Sequence, residues 1–340
     1  MTDPLSQQAP PLPAERTGKG TAQVDVSVCI VNWNCKDVLR GCLQSLCDQP
    51  SDLRLEILVV DNASADGAAA MVAREFPEVV LLRNAENVGF ASANNRAARL
   101  ANGRYLFFLN NDTVVPFGAI CRLVEYADAH PEVGMIGPRL RDGQGRLQAS
   151  YRCRPTLAAL LHRTSILRWT GLLHDAYRRY RRQRFDPEHR GRVELLIGAA
   201  VFLPRRVFFE CGPWDEGYIF GGEDLDLSTG VGQKYEVVYL PSVEITHYGR
   251  VSTRQHIGFC FSYMLMGLAR YLRRTGCPPP ALFAYKLIVS LDAPVQFVGK
   301  AIQYLWRRVR GKERKAQQSL LAWRGFAHFL FRGMIPFWRA

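Results

Sequence analysis

Apolar positions fall in short blocks separated by amphipathic stretches. DVSVCIVN (25–32), LEILVVDN (55–62), VVLLR (79–83) and YLFFLN (105–110) are near-continuous apolar runs. Runs of this length read as strands buried on both faces. Between them, residues 35–48, 67–75, 90–101 and 117–129 space their apolar positions helically, as in Val38, Leu39, Cys42, Leu43 and Leu46. Asn102-Gly103 is a stop signal for the third of these helices. Strand–helix alternation predicts an α/β fold, a parallel sheet with helices on both faces. After Gly134 the pattern changes. MIGPRL, LQAS, LLIGAAVFLP (195–204), YEVVYLP (235–241) and VEITHYG (243–249) are strand-like pieces, expected to extend the sheet in mixed orientation.

Residues 257–340 follow a third pattern. A helix is expected over 257–273, broken by Cys277-Pro278-Pro279-Pro280. Two apolar-aromatic segments, 281–306 and 319–338, carry Lys286, Asp292, Lys300, Arg324 and Arg332. Neither offers the charge-free run of about 20 residues expected of a bilayer span. Trp, Phe and Arg at helical spacing fit helices lying in the membrane interface; a helical subdomain packed on the core is the alternative. Residues 1–24 are polar and Pro- and Gln-bearing, with no apolar stretch for a signal peptide, and are expected to be disordered. The expected organisation is a tail at 1–24, a catalytic domain at 25–256 and a helical, basic-aromatic region at 257–340.

Charge sharpens this picture. The formal net charge is +13. Residues 178–192 hold seven Arg against Asp186 and Glu188, and residues 301–340 hold nine Lys/Arg against Glu313 alone. These two segments carry the whole excess, so the partner expected is a polyanionic surface, lipid headgroups or nucleic acid. The nine cysteines are odd in number and contain no Cys-x-x-Cys pair, which reads as reduced thiols rather than a disulfide framework or zinc site.

In an open parallel sheet, ligands bind beyond the carboxyl ends of the strands. There this chain places Asn32, then Asp61 and Asn62, then Arg83, Asn84 and Asn87, then Asn110, Asn111 and Asp112. No Gly-x-Gly-x-x-Gly and no Gly-x-x-x-x-Gly-Lys-Ser/Thr is present, which disfavours a dinucleotide site and a P-loop. Asp112 could hold Mg2+ or Mn2+, ions that take few protein ligands and complete their shells with water and phosphate; alternatively Asn111 and Asp112 form a turn or cap the next helix. GGEDLDL (221–227) places three carboxylates in four positions. Glu223 and Asp224 point in different directions, so one can be held while the other acts as a general base. His247, at a strand end, is either a metal or phosphate contact or a structural histidine.

VCIVNWN (28–34), LVVDNASADG (58–67), RNAENVGFASANN (83–95), YLFFLNNDTVVP (105–116), GAAVFLPRRVFFECGPWDEGYIFGGEDLDL (198–227) and ITHYGRVS (245–252) occur in this order. Together they resemble family 2 glycosyltransferases of the GT-A fold, in particular the bacterial rhamnosyltransferase-like branch. The resemblance implies a Rossmann-like, mostly parallel mixed sheet. It implies that Asp61, with Asn62 and Ser64, contacts the base or ribose of the donor, and that Asn32, Arg83, Asn87, Gly89, Asn94 and Asn111 line the nucleotide-sugar site. Asn110-Asn111-Asp112 stands where the family has its Asp-x-Asp-type motif, leaving Asp112 as the principal metal ligand with His247. Asp224, paired with Glu223, is the implied base, and Trp214 and Asp215 the acceptor side. One departure is that STGVGQKYEVVY follows EDLDL without the family's Arg, and Gly230 and Gly232 each weaken a helix by about 1 kcal/mol.

The activity implied is metal-dependent, inverting transfer of a sugar to a lipid-linked or cell-surface glycan. dTDP-rhamnose is the favoured donor, with UDP-sugars next, Mg2+ or Mn2+ is the cofactor, and a polyprenyl-linked glycan is the acceptor. The expected location is cytoplasmic, peripheral at the inner face of the cell membrane on anionic lipid. A sugar-phosphate nucleotidyltransferase would need a Gly-rich basic loop after the first strand, which VNWNCKD does not supply. A nucleic-acid-binding protein would leave the carboxylates unexplained, so no nucleic-acid partner is expected.

Overall fold

The computed structural model describes residues 24–49, 52–182, 186–249 and 257–340. The tail expected to be disordered therefore lies, up to residue 23, outside the described residues, as do parts of the Arg-rich stretch (183–185) and residues 250–252 of ITHYGRVS. The chain divides into two compact units. The first comprises Met1–Arg152, Pro187–Glu216 and Asp224–Gly249, and the second Cys153–Asp186, Gly217–Glu223 and Arg250–Ala340.

In the first unit the expected alternation forms in order: β1 (Val26–Asn32), α1 (Lys36–Cys47), β2 (Leu55–Asp61), α2 (Ala68–Glu75), β3 (Val80–Arg83), α3 (Phe90–Leu100) and β4 (Tyr105–Asn110). β5 (Thr113–Val114), α4 (Ala119–Ala129), β6 (Val133–Arg141), β7 (Leu147–Gln148) and β8 (Tyr151–Arg152) follow. After three short helices of the second unit, α5 (Leu157–Leu161), α6 (Ser165–Thr170) and α7 (His174–Arg182), come β9 (Gly191–Arg192), β10 (Leu195–Leu196), β11 (Ala200–Pro204), α8 (Arg205–Glu210), α9 (Glu223–Val231) and β12 (Glu236–His247). The main sheet has the order β3-β2-β1-β4-β11-β6-β12-β5, with β7 on β6 and β9 on β12. β1 to β4 pair in parallel, as do β6 and β12, whereas β11 is antiparallel to both of its neighbours.

Period-two alternation sends successive side chains to opposite faces. Val26, Val28 and Ile30, with Phe107 and Phe202, join the core under α1, α2 and α4. Cys29, Leu106, Phe108, Val201 and Leu203 join the core under α3, α8 and α9. Both faces are covered, which is why the strands read as unbroken apolar runs.

Two expectations change. LLIGAAVFLP is not one strand: β10 pairs with β8 in a separate two-stranded sheet, and β11 enters the main sheet. Conversely, 235–241 and 243–249 form the single strand β12, with a register slip between Leu240 and Glu244 where Pro241 interrupts the ladder. The segment between β8 and β9, which the sequence marks only by its Arg-rich part, holds α5, α6 and α7. The helix at EDLDL survives Gly230 because Leu225, Leu227 and Val231 are buried. Three aliphatic burials at about 1.5–3 kcal/mol each outweigh a glycine cost of about 1 kcal/mol.

The rest of the second unit is helical: α10 (Ile257–Arg274), α11 (Pro279–Val309), α12 (Glu313–His328), one π-turn (Phe329–Gly333) and α13 (Met334–Arg339). α11 corrects the sequence reading on one point. Its 31 residues include an 18-residue window of mean hydropathy 1.4 with no more than two charged residues, so length and composition suffice to cross a bilayer. Two of its charges, however, are placed inward. Lys286 and Asp292 are buried, Lys286 Nζ donating to the Trp338 carbonyl at 3.2 Å and Asp292 Oδ1 accepting from Ser165 N at 2.8 Å. The opposite face exposes Phe283, Leu287, Leu291, Val295, Val298, Ile302, Leu305 and Val309, every third or fourth residue. α11 is thus one-sided, with an apolar stripe from Phe283 to Val309 about 39 Å long at 1.5 Å per residue.

The loop Gly217–Glu223, which precedes α9, packs on α10 within the same unit. A Cβ at Gly267 of α10 would lie 1.9 Å from the Gly221 carbonyl oxygen, so only glycine permits that approach. The Arg270 guanidinium lies over the Tyr218 ring, 5.5 Å from its centroid.

Candidate active site

Strand register brings the polar strand ends together. Asn32 lies opposite Asp61, Asp61 opposite Arg83, and Val31 opposite Asn110. The carboxyl ends of β1 to β4 therefore form one row, as the sequence predicts.

Asn32 is the hub of that row. Its Nδ2 donates to Asp61 Oδ1 and to Ser64 Oγ, both at 3.2 Å, and its Oδ1 accepts from Asn111 Nδ2 at 2.7 Å. The side chain is fully buried and its amide is occupied by the protein, so it orders the site from below. Asp61 Oδ2 accepts from Ser64 N at 3.0 Å, tying the DNAS turn to the strand end. Asn62 donates to the Gly89 carbonyl at 3.2 Å and accepts from Asn84 Nδ2 at 2.6 Å. Arg96 in turn holds Asn84 Oδ1 and, at 2.8 Å, the Arg83 carbonyl. Gly89 has φ +85, a left-handed value that glycine adopts at little cost, and its N–H donates to Asn87 Oδ1 at 3.0 Å. Arg83 and Asn87 are exposed, while Asn94 is buried with Nδ2 on the Phe90 carbonyl at 3.1 Å.

The next turn carries Asp112. α4 begins seven residues later, with Gly118 and no side-chain bond at its cap, so Asp112 is not a helix cap. The antiparallel pairing of β5 with β12 sets His247 opposite Thr113, and Tyr248 N donates to the Asp112 carbonyl at 2.9 Å. His247 Nε2 consequently stands 3.4 Å from Asp112 Oδ1 and 3.3 Å from Asn110 Nδ2. His247 Nδ1 faces Gln148 Oε1 at 2.9 Å, and Gln148 Nε2 donates to the His247 carbonyl at 2.7 Å. Gln148 was not among the sequence candidates. It is a polar residue in a two-residue strand, and nothing in LQAS marks it.

The donor set fits a hard divalent ion. A carboxylate oxygen and an imidazole nitrogen in adjacent octahedral positions stand about 3.0 Å apart for metal–ligand bonds of about 2.1 Å; the 3.4 Å found here is slightly wider. Among the described residues, no three His, Cys, Asp or Glu side chains come together as a metal-holding group. A Mg2+ or Mn2+ ion on Asp112 and His247 would thus draw its remaining ligands from water and a phosphate-bearing substrate.

Asp224 lies in the first turn of α9. Leu225 N donates to its Oδ1 at 2.9 Å and Gly198 N to its Oδ2 at 3.4 Å. Gly198 sits at the break between β10 and β11, and the next residue, Ala199, accepts from Asn110 N at 2.9 Å. Main chain therefore links the Asp224 carboxylate to the turn that bears Asp112. Glu223, its neighbour, is the first residue of α9, and successive residues of a helix project about 100° apart.

Trp214, expected on the acceptor side, is only 1 % exposed. Its ring packs edge-on against Phe90 and Phe108 with centroids at 5.7 and 5.2 Å. It is a core residue, and Asp215 beside it is the half-buried polar member of that loop. Asn95 holds the loop, accepting from Trp214 N at 3.1 Å and donating to the Trp214 carbonyl at 2.8 Å.

Residues 27–190 match the family described as Glycosyl transferase family 2. An N-acetylglucosaminyl-diphospho-decaprenol L-rhamnosyltransferase of Mycobacterium tuberculosis is 30 % identical over 217 residues, 58 % of this chain and 68 % of the relative. The chain belongs to glycosyltransferase family 2. Two solved glycosyltransferases share the fold at 18 % identity. One is a mannosyltransferase from Pyrobaculum calidifontis in complex with GDP-Man and Mn2+, with a TM-score of 0.51 over 92 % of this chain and 88 % of its own. The other is GalNAc-T7 with UDP, GalNAc and Mn2+, with a TM-score of 0.52 over 73 % of this chain and 48 % of its own. The sheet of this glycosyltransferase is the GT-A sheet expected from the sequence.

Its cysteines are all free. Burial pushes the Cys42 thiol up to about 12 and Cys260 up to about 11. Such thiols are neutral near pH 7, so neither is a nucleophile.

Proposed function

We propose that this glycosyltransferase moves a sugar, rhamnose favoured, from a nucleotide diphosphate donor to a polyprenyl-linked glycan, with inversion at the anomeric carbon. The observation that carries this reading is the Asp224 carboxylate, oriented by two main-chain N–H groups and linked through Gly198 and Ala199 to the strand end that bears Asp112. Asp224 accepts the proton of an acceptor hydroxyl. The acceptor oxygen bonds to the anomeric carbon from the face opposite the diphosphate, and the bond from that carbon to the diphosphate oxygen breaks. The nucleotide diphosphate leaves with the electron pair, and no covalent enzyme intermediate forms. When bound at Asp112 and His247, Mg2+ or Mn2+ supplies positive charge for the leaving diphosphate. Asp61 and Asn62 hold the base or ribose, Arg83, Asn87, Gly89 and Asn94 border the donor, Asn32 and Asn111 brace the row, and Asp215 faces the acceptor. The mycobacterial relative acts, by its name, on a diphospho-decaprenol sugar; this and the apolar face of α11 support a lipid-linked acceptor.

A thermal-shift series with dTDP, UDP and GDP, each with and without Mn2+ or Mg2+, tests the donor site. The dTDP–Mn2+ pair should raise the melting temperature most, since ligand at 100 times its Kd adds about 2.7 kcal/mol. EDTA should remove most of that gain. No response to any nucleotide diphosphate, with or without metal, would overturn the reading.

The same proposal places the enzyme at the inner face of the cell membrane. The stripe of α11 lies on anionic lipid, helped by Arg307, Arg308, Arg310 and Lys312 at its end. The inward-facing Lys286 and Asp292 favour a helix in the plane of the interface over one that crosses it. Truncation is a poor test, because α10 also holds the Gly217–Glu223 loop. Leu291→Glu with Ile302→Glu is the better one, as both side chains are exposed. In vesicle flotation the double variant should stay with the soluble fraction while the wild type floats on anionic vesicles. Equal flotation would reject membrane docking by α11.

A further inference from the structure

We propose that Gln148 is a positioning residue that fixes the tautomer of His247 and so leaves the Nε2 lone pair facing Asp112. The inference rests on the reading of Asp112 and His247 as a cation site, and it goes beyond that reading by naming the group that prepares the site.

The hydrogen-bond directions decide the argument. Gln148 Nε2 lies 2.7 Å from the main-chain carbonyl of His247. A carbonyl oxygen only accepts, so the amide end of Gln148 must be the group that faces it. The orientation of the side chain is fixed by that bond. Its Oε1, an acceptor, then lies 2.9 Å from His247 Nδ1. Nδ1 must therefore carry a hydrogen. In the neutral ring the lone pair is on Nε2, the nitrogen 3.4 Å from Asp112 Oδ1. Asn110 Nδ2, at 3.3 Å from Nε2, is placed to donate toward the same lone pair.

A carboxylate oxygen and an imidazole lone pair 3.4 Å apart repel unless a cation or a proton lies between them. The arrangement is what a divalent ion needs from its protein ligands. It also has a reason to be enforced, because a free neutral imidazole prefers its proton on Nε2, the atom that would have to ligate. Gln148 reverses that preference through two bonds to one residue, as outer partners of metal-bound histidines commonly do. Strand pairing supplies the geometry. Leu140 of β6 pairs with Gln148 of β7 on one edge and with Ile245 of β12 on the other, so β7 and β12 flank the end of β6 and Gln148 meets His247 there.

The experiment has two arms. The first is 15N NMR of the histidine rings in metal-free, full-length enzyme at about pH 8, where an ordinary imidazole is neutral. Wild type should show His247, assigned through His247→Asn, with Nδ1 protonated and Nε2 bare. Gln148→Leu should shift the population toward Nε2–H, and Gln148→Glu, which keeps an acceptor at Nδ1, should restore the wild-type pattern. The second arm is Mn2+ binding followed by EPR. Gln148→Leu should weaken Mn2+ about 10–100-fold, with Gln148→Glu losing much less. A wild-type ring protonated at Nε2, or a tautomer unchanged in Gln148→Leu, would overturn the proposal. Unchanged Mn2+ affinity in that variant would also overturn it. Failure of the cation reading looks different: Mn2+ would then bind no more weakly to Asp112→Ala than to wild type, whatever the NMR arm gives. A melting temperature close to wild type in Gln148→Leu shows that the fold is not the cause.

Discussion

Asp224→Asn is expected to lower turnover about 100-fold or more while leaving nucleotide diphosphate binding nearly intact. Removal of a general base costs on this order, because the acceptor hydroxyl then has no group to take its proton. Asparagine keeps an oxygen for Leu225 N, the shorter of the two main-chain bonds, so the fold should hold. kcat measured at saturating donor, together with a dTDP titration, separates chemistry from binding. Turnover near the wild-type value would remove Asp224 from its assigned role.

The second large effect is expected far along the chain, at Gly267. Its Cβ position lies 1.9 Å from the Gly221 carbonyl, so Gly267→Val must push the loop Gly217–Glu223 off α10. That loop runs directly into Asp224. A shift of about 1 Å at a reacting group can cost about 100-fold in rate, whereas overpacking of this kind costs about 1–3 kcal/mol in stability. The variant should therefore fold, bind donor and turn over slowly. Gly299→Val, on α11 where nothing lies within 4 Å of the added carbon, is the control and should match wild type. If both variants turn over alike, the clamp has no catalytic role.

The parts legible in the sequence share one property: they are local. Strands buried on both faces announce themselves as apolar runs, and the polar residues that end them announce the carboxyl edge of a parallel sheet. Thus Asn32, Asp61, Arg83 and Asp112 could be placed in one row before their register was known. What could not be read depends on pairings between distant residues. Gln148 and His247 are 99 positions apart and meet only because β7 and β12 share β6. Gly198 looks like part of an apolar strand, yet it is the point where the chain leaves one sheet for another and turns an N–H to Asp224. Trp214 sits in a loop rich in polar neighbours, and only the packing of Phe90 and Phe108 reveals it as core. Counting charges along α11 likewise hid the fact that Lys286 and Asp292 share the inward face.

That one-sided helix has a practical consequence for handling the purified enzyme. In plain buffer its outward side chains, Leu291 and Ile302 among them, have only water to meet, and the hydrophobic effect will drive molecules together through them. Clusters seen by light scattering in such buffer should disperse on adding mild detergent or bicelles, so the particle size measured there reports contact through this exposed face rather than a native stoichiometry.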